Sequence, residues 1–142
     1  MKRLVVVLGI FIMVQAFAES PAQVRKNGLK PIVLCKANGD CQGTNYVDVR
    51  KMGNSPVVSC VSQDDCGGTH YFEVRKNGLE PVMKCDSSGY CFGMIYSSVR
   101  KMGIEPVVFC DAQGDCGSVN YVEIRRAGME PVVSCSTENI CN

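Results

Sequence analysis

Ten cysteines at regular intervals are the residues whose type and spacing most directly suggest chemistry in this sequence. They form five pairs with five residues between the members: Cys35 and Cys41, Cys60 and Cys66, Cys85 and Cys91, Cys110 and Cys116, and Cys135 and Cys141. Zinc sites built from neighbouring cysteines have about two to four residues between the ligands, so this spacing disfavours a metal site. An even number of thiols is typical of a disulfide framework in an exported protein. We expect one disulfide within each pair, because pairing between units would leave Cys35 and Cys141 without partners, although the sequence alone leaves other connectivities open.

Recurring pairs of basic residues are the second candidate for function. They are Arg25-Lys26, Arg50-Lys51, Arg75-Lys76, Arg100-Lys101 and Arg125-Arg126. If the units stack, the pairs form two cationic rows that could bind a polyanion such as lipopolysaccharide, an acidic glycan or nucleic acid. Basic residues are also favoured in the last turn of a helix, where they complement the carbonyl dipole. We favour this structural role and keep polyanion binding as the alternative.

The sequence contains little that could support catalysis. His70 is the only histidine, and the equivalent positions carry Asn45, Ile95 and Asn120. The motifs of serine hydrolases, HExxH metalloenzymes and phosphate-binding loops do not occur, and the acidic residues are spread over the chain. We therefore predict a protein that is not an enzyme and that uses no cofactor and no metal.

Both residue sets recur because the chain is a tandem repeat with a period of 25 residues. Five units start near residues 24, 49, 74, 99 and 124, and they follow the pattern VRKxGxxPVVxC, five residues, Cys. Repeats of this length indicate an array in which each unit packs against its neighbours. We predict an α+β tandem-repeat array, solenoid-like and rod-shaped, with an all-β repeat array as the alternative.

Each unit is predicted to contain one short helix and one disulfide-linked β-hairpin. The VRKxG segment ends in a glycine followed by an apolar residue, as in a helix that a left-handed glycine terminates. Ser20-Pro21 is a typical helix start. The PVV segment and the Asp- and Gly-containing turn at residues 111–115 favour a hairpin. Alternating apolar residues at Val47 and Val49 would also fit a strand, and we favour the helix because a repeated proline disfavours a central antiparallel strand.

The first 18 residues have the features of a secretory signal peptide. Lys2 and Arg3 precede an apolar run at residues 4–14, and the small residues Ala16 and Ala18 follow in Ala16-Phe17-Ala18. The run is too short to anchor the protein in a bilayer, so cleavage after Ala18 should release a mature chain, residues 19–142, that has no membrane span and forms a single repeat domain. Cleavage would remove two of the 15 basic residues and leave 13 against 14 acidic ones, a formal charge of −1. We expect an exported protein, periplasmic or extracellular.

These features predict a disulfide-stabilised binding scaffold whose partner is another protein. The variable loops between the cysteines, residues 36–40, 61–65, 86–90 and 111–115, are candidate contact positions together with the basic pairs, since exposed loops on a rigid scaffold are common recognition sites. Two alternatives remain, a binder of an acidic polysaccharide or other envelope component and a multi-headed hydrolase inhibitor. The identity of the partner and the oligomeric state do not follow from the sequence.

Overall fold

The computed structural model describes residues 19–142, so the predicted signal peptide, residues 1–18, lies outside the described residues. Within residues 19–142, none of the helices has the length and apolar character needed to span a membrane. Five helices occur at regular intervals: α1 (Pro21–Lys26), α2 (Tyr46–Lys51), α3 (Tyr71–Lys76), α4 (Tyr96–Lys101) and α5 (Tyr121–Ala127). The strands are β1 (Lys30–Leu34), β2 (Asp40–Cys41), β3 (Thr44–Asn45), β4 (Ser55–Ser59), β5 (Glu80–Lys84), β6 (Tyr90–Cys91), β7 (Met94–Ile95), β8 (Glu105–Phe109) and β9 (Glu130–Ser134).

The VRKxG segment is helical in all five units, which confirms the helix and excludes the all-β alternative. Local signals explain where α1 begins and ends. The Ser20 hydroxyl accepts a hydrogen bond from the backbone N–H of Gln23, and Pro21 occupies the first turn. At the other end Gly28 has a φ of +89°, and the N–H of Leu29 donates to the carbonyl oxygen of Val24. This is the Schellman termination that the sequence predicts.

The five long strands form a closed parallel barrel in the order β1-β4-β5-β8-β9, with β9 pairing back to β1. Ile32 pairs with Ser55 of the next unit. The residue of that unit that is equivalent to Ile32 lies two positions after Ser55, so the two strands are staggered by two residues. The same stagger joins Val132 to Lys30 at the closing pair. Because a uniform stagger tilts every strand in the same sense, the fifth strand meets the first and no long strand is left with an open edge.

The repeat array is therefore confirmed, but it forms a ring of units and not the predicted solenoid-like rod. The expectation of an open stack was wrong because strand register between distant units decides closure, and no local pattern encodes it. Helices and parallel strands alternate along the chain, which is an α/β arrangement rather than the predicted α+β one. We number the units 1 to 5 by the five long strands.

Two apolar layers form the core. The first lies inside the barrel and takes one side chain from each long strand: Ile32, Val57, Val82, Val107 and Val132. The second lies between the barrel and the helices, where the helix residue of the VRK motif packs on the outer face of the strands. In α1 this residue is Val24, which is fully buried together with Val33 of β1. Since side chains alternate along a strand, one short strand supplies both layers.

A disulfide joins the two cysteines of each unit: Cys35–Cys41, Cys60–Cys66, Cys85–Cys91, Cys110–Cys116 and Cys135–Cys141. The turn between the cysteines forms, since the N–H of Gly39 donates to the carbonyl oxygen of Lys36. The pairing predicted for the hairpin occurs in unit 5, where an antiparallel bridge joins Cys135 to Cys141, but not in units 1 to 4. The strand before each loop pairs in parallel with neighbouring units, whereas Asp40–Cys41 pairs with Thr44–Asn45 further along.

Candidate functional site

The first arginine of every basic pair joins two neighbouring units. Its Nη2 donates a hydrogen bond to the carbonyl oxygen of the glycine that follows the next helix: Arg25 to Gly53, Arg50 to Gly78, Arg75 to Gly103, Arg100 to Gly128 and Arg125 to Gly28. We call these five contacts the arginine clamps. A carbonyl at the end of a helix carries partial negative charge, so a guanidinium group is a suitable partner.

A tyrosine supports the clamp in four of the five units. The Tyr46 ring lies 5.6 Å from the guanidinium carbon of Arg50, within the range of a cation–π interaction. The same ring packs against Gly78 so closely that an added Cβ there would lie 2.8 Å from it. Tyr71, Tyr96 and Tyr121 repeat this arrangement in the following units. These tyrosines therefore serve packing between units.

The second residue of each basic pair is exposed on the outer surface: Lys26, Lys51, Lys76, Lys101 and Arg126. Two of them pair with an acidic residue of their own helix. The Nζ of Lys76 lies 3.8 Å from Glu73, and the Nη1 of Arg126 lies 3.0 Å from Glu123. The structure thus separates the predicted binding residues into clamps, which hold the ring together, and exposed cations on the helices.

The barrel mouth at the start of the long strands contains a cluster of charges. The first residues of these strands are half-buried there: Lys30, Ser55, Glu80, Glu105 and Glu130. The three glutamates among them border a depression of about 640 Å³ that three clamp arginines also line. The Nζ of Lys30 lies 2.9 Å from Oε1 of Glu80. This mouth holds three carboxyl groups close together with one lysine.

The carboxyl group of Glu105 is perturbed by its surroundings at the mouth. Burial raises the pKa of its carboxyl above the ordinary value, the positive charge of Lys30 opposes that rise, and the carboxyl groups of Glu80 and Glu130 add to it. The mouth can therefore hold a proton more tightly than an exposed glutamate would. Among residues 19–142, no group of His, Cys, Asp and Glu side chains has an arrangement that could hold a metal ion.

The loops between the cysteines contact other units of the ring. The Nδ2 of Asn27 donates to the carbonyl oxygen of Ala112, and the Nε2 of Gln63 donates to that of Met102. A weaker contact of 3.4 Å joins Asn77 to Ala37. In each case the loop of one unit meets the end of the helix two units further on. Part of each of these loops, which the sequence marks as candidate contact positions, therefore already forms contacts within the protein.

A short turn follows each of the first four loops and leads into the next helix: residues 40–45, 65–70, 90–95 and 115–120. In three of these turns, the first residue is an aspartate whose Oδ1 accepts a hydrogen bond from the backbone N–H three residues later. The acceptors are Asp40, Asp65 and Asp115. The last residue is Asn45, His70 or Asn120, whose side chain caps the helix. These polar residues stabilise the turns.

The 90–95 turn differs from the other three at all of its stabilising positions. Tyr90 replaces the aspartate, and Ile95 begins α4 without a side-chain hydrogen bond to the helix. Phe92 has a φ of +49°, where other turns have glutamine or glycine and where a bulky residue is strained. Tyr90 is 64%, Phe92 55% and Ile95 51% exposed. Tyr90 and Ile95 are direct neighbours across the two short strands.

Comparison with protein-family models, curated proteins and solved structures found no match, so the function has to be argued from the residues of this chain. Sequence reasoning placed Tyr90 at the edge of a candidate loop but missed Phe92 and Ile95. Alignment of the units contains the signal that finds them, because apolar residues occupy three positions that are polar or glycine in the other turns.

Proposed function

We propose that this protein is an exported, non-enzymatic binding scaffold and that the 90–95 turn is its protein-recognition element. The observation that carries the proposal is that Tyr90, Phe92 and Ile95 are large, apolar and at least half exposed in one unit only. Five disulfides indicate an oxidising, exported environment, and we place the protein in the periplasm or outside the cell.

The stability lost in the 90–95 turn supports a role in binding. The missing helix cap, the missing aspartate hydrogen bond and the left-handed phenylalanine each cost about 1 kcal/mol. In the 115–120 turn, Asp115, Gly117 and Asn120 occupy the same three positions without these costs, although Ser118 there has a φ of +69°. Residues that destabilise a fold while exposing apolar surface are typical of an interaction site.

The aromatic content of the turn fits protein recognition. Tyrosine and phenylalanine contribute large contact areas with few rotatable bonds, and such residues dominate the centres of protein interfaces. Tyr90 and Ile95 alternate along their strands with Cys91 and Met94, which face the core. Tyr90 and Ile95 therefore lie on the outer face of the hairpin, and Phe92 lies in the turn that joins its two strands.

Photo-crosslinking in the native producer tests this proposal. A photoreactive phenylalanine analogue at position 92 should crosslink the exported protein to one protein species, whereas the analogue at Gln42, the matched position in unit 1, should not. The purified crosslinked partner should then bind the wild-type protein and fail to bind the Y90D/F92G/I95N variant. Equal adducts from positions 42 and 92, or no adduct from position 92, would contradict the proposal.

The alternatives from the sequence predict different results. A polyanion binder should bind heparin at low salt and release it steeply as salt rises, and binding should fall when the exposed lysines are replaced. Because the arginine clamps already bond to backbone carbonyls, this mechanism depends on the second residue of each pair. A multi-headed inhibitor would depend on all the loops between the cysteines, and Y90D/F92G/I95N alters only the 86–90 loop among them, so this variant should keep the inhibition that the other loops provide.

A further inference from the structure

One of the four turns between units has a conformation that its own sequence disfavours. At the tip of each turn, two consecutive residues have positive φ: Gln42-Gly43, Gly67-Gly68, Phe92-Gly93 and Gly117-Ser118. The first of these residues is glutamine or glycine in three turns and phenylalanine in the turn between units 3 and 4. The left-handed region disfavours a bulky side chain, whereas phenylalanine favours the extended conformation of a strand. The closed turn at Phe92 is therefore strained, and straightening it would relieve the strain.

The side chains on either side of Phe92 do little to hold this turn closed. Ile95 gives α4 no side-chain cap, and Tyr90 stands where the other turns have an aspartate that bonds to the backbone. The pairing of β6 with β7 closes the turn, with Tyr90 opposite Ile95 and Cys91 opposite Met94. β6 of one chain and β7 of another can make the same pairing.

The disulfides leave the boundary between units 3 and 4 free to open. All ten cysteines of the chain form disulfides within single units. No disulfide therefore ties units 1 to 3 to units 4 and 5, and the covalent link across that boundary is the backbone at Phe92-Gly93. Opening the ring there requires no reduction.

The two faces that such an opening exposes fit a second copy of the chain. One face lies between units 3 and 4, where Arg75 donates to the carbonyl oxygen of Gly103. The other lies between units 5 and 1, where Arg125 donates to that of Gly28. Each opened chain carries both halves of both interfaces. Two chains that exchange units 4 and 5 therefore rebuild two complete rings with the same clamps and the same strand pairs.

We infer that this protein forms a dimer in which two copies exchange units 4 and 5, with Phe92-Gly93 as the hinge. Because the two rings keep the contacts of two monomers, the relief of strain at Phe92 favours the exchanged form. This inference goes beyond the proposed function, in which a different protein binds the surface of the closed turn.

The apolar side chains of the turn favour the exchanged dimer as well. In each chain a straightened hinge spans at most about 10 Å from Cys91 to Met94, so the two rings have to meet at this turn. The tip offers room for the approach, since a Cβ added at Gly93 would have no neighbouring atom within 4 Å. Tyr90 and Ile95, each at least half exposed in the monomer, are then brought close to their equivalents in the second ring. Burial of this apolar surface stabilises the dimer.

Refolding with the disulfides intact tests the exchange. The protein is unfolded in guanidinium chloride without reductant, refolded at low and at high protein concentration, and measured by size-exclusion chromatography with light scattering. We expect the share of dimer to rise with the concentration during refolding. The dimer should survive dilution and return to monomer only under conditions that unfold the ring, because reversal requires opening it. A dimer that dissociates within minutes of dilution, or no dimer at any refolding concentration, would overturn the inference.

A circular permutant separates exchange from simple contact between apolar surfaces. Since the backbone groups of Glu19 and Cys141 bond to each other, a short Gly-Ser linker can join residue 142 to residue 19. With new ends between residues 92 and 93, the permutant keeps every side chain of the turn and loses the hinge, so it should be monomeric. The matched permutant with ends between residues 42 and 43 keeps the hinge and should dimerise. Equal shares of dimer in the two permutants would contradict the exchange.

Hinge variants test the role of strain. Phe92→Gly relieves the closed turn and should lower the ratio of dimer to monomer after refolding about tenfold. Gln42→Phe creates a second Phe-Gly turn and should raise that ratio about tenfold. Phe72→Ala removes another half-exposed phenylalanine, from a helix, and should change the ratio by less than about twofold. Equal ratios for the wild type and Phe92→Gly would overturn the inference.

These outcomes are distinct from those that test the proposed function. A protein that stays monomeric and crosslinks from position 92 to a different protein would overturn the exchange and leave the proposed function standing. A dimer that passes the dilution and permutant tests and crosslinks from position 92 only to a second copy would support the exchange and count against a different partner.

Discussion

Arg125 in the last unit donates a hydrogen bond to the carbonyl oxygen of Gly28 in the first unit, through the same contact that joins every other pair of neighbours. The interface between the last and the first unit therefore has the same arginine clamp as the other four interfaces. A second link lies beside it, where the backbone groups of Glu19 and Cys141 bond to each other in both directions.

Removal of an arginine clamp should destabilise the whole ring. Arg75→Ala deletes a charged hydrogen bond to Gly103 and the contact with the Tyr71 ring, and we expect a loss of about 1 kcal/mol in the free energy of unfolding. Urea unfolding with the disulfides intact measures it. Lys76→Ala on the same helix is the control and should change the stability by less than about 0.5 kcal/mol. Equal effects of the two substitutions would show that the clamp contributes nothing.

Glu105 should make stability depend on pH. Because its pKa is raised in the folded protein, the folded state binds a proton more tightly than the unfolded state does. Its unfavourable contribution is absent at pH values below the ordinary glutamate pKa, develops as the pH rises from that pKa to the raised value, and is constant above it. Glu105→Gln should therefore unfold at a higher temperature than the wild type at neutral pH.

Thermal unfolding over a range of pH checks this. The advantage of Glu105→Gln should shrink as the pH falls from the raised pKa towards the ordinary one and should be absent below about 4, where the carboxyl is protonated in both states. Glu138→Gln in the last loop is exposed and serves as the control. An advantage of Glu105→Gln that does not vary with pH would mean that burial of the charge is not its cause.

The helix caps permit a matched test of the cost in the 90–95 turn. Asn120→Ala removes the acceptor for the N–H of Val122 and should lower stability by about 1 kcal/mol. Ile95→Asn supplies the acceptor that α4 lacks and should raise stability by a similar amount. Ile95→Ala is the control for loss of the apolar side chain alone. If Ile95→Asn is no more stable than Ile95→Ala, the absence of a side-chain cap at position 95 does not destabilise α4, contrary to our assignment.

Closure of the barrel should make the five units fold as one. A chain that ends at residue 117 lacks α5 and β9, so β1 and β8 each lose a neighbour. We expect this fragment to lose its compact fold, as judged by circular dichroism and by rapid proteolysis. An open array would instead lose about one unit's share of stability. A fragment with four-fifths of the wild-type helical signal and a cooperative transition would contradict closure.

Sequence reasoning succeeded where the information is local. The cap at Ser20, the termination at Gly28 and the pairing of cysteines six positions apart all depend on residues close in sequence. It did not find the barrel, because the pairing of Ile32 with Ser55 and of Lys30 with Val132 depends on register between units. The role of the arginines was missed for the same reason, since each bonds to a glycine 28 positions ahead or, for Arg125, back at the start of the ring.

The single layer of side chains inside the barrel has a consequence for how such a protein can change during evolution. Five β-branched residues, one from each strand, fill the lumen. A sixth module would widen the circle and leave a hole along its axis, and four would crowd it. Gene duplication can lengthen an open array one module at a time, whereas here the number of modules is locked, and new specificity has to come from changing a single module.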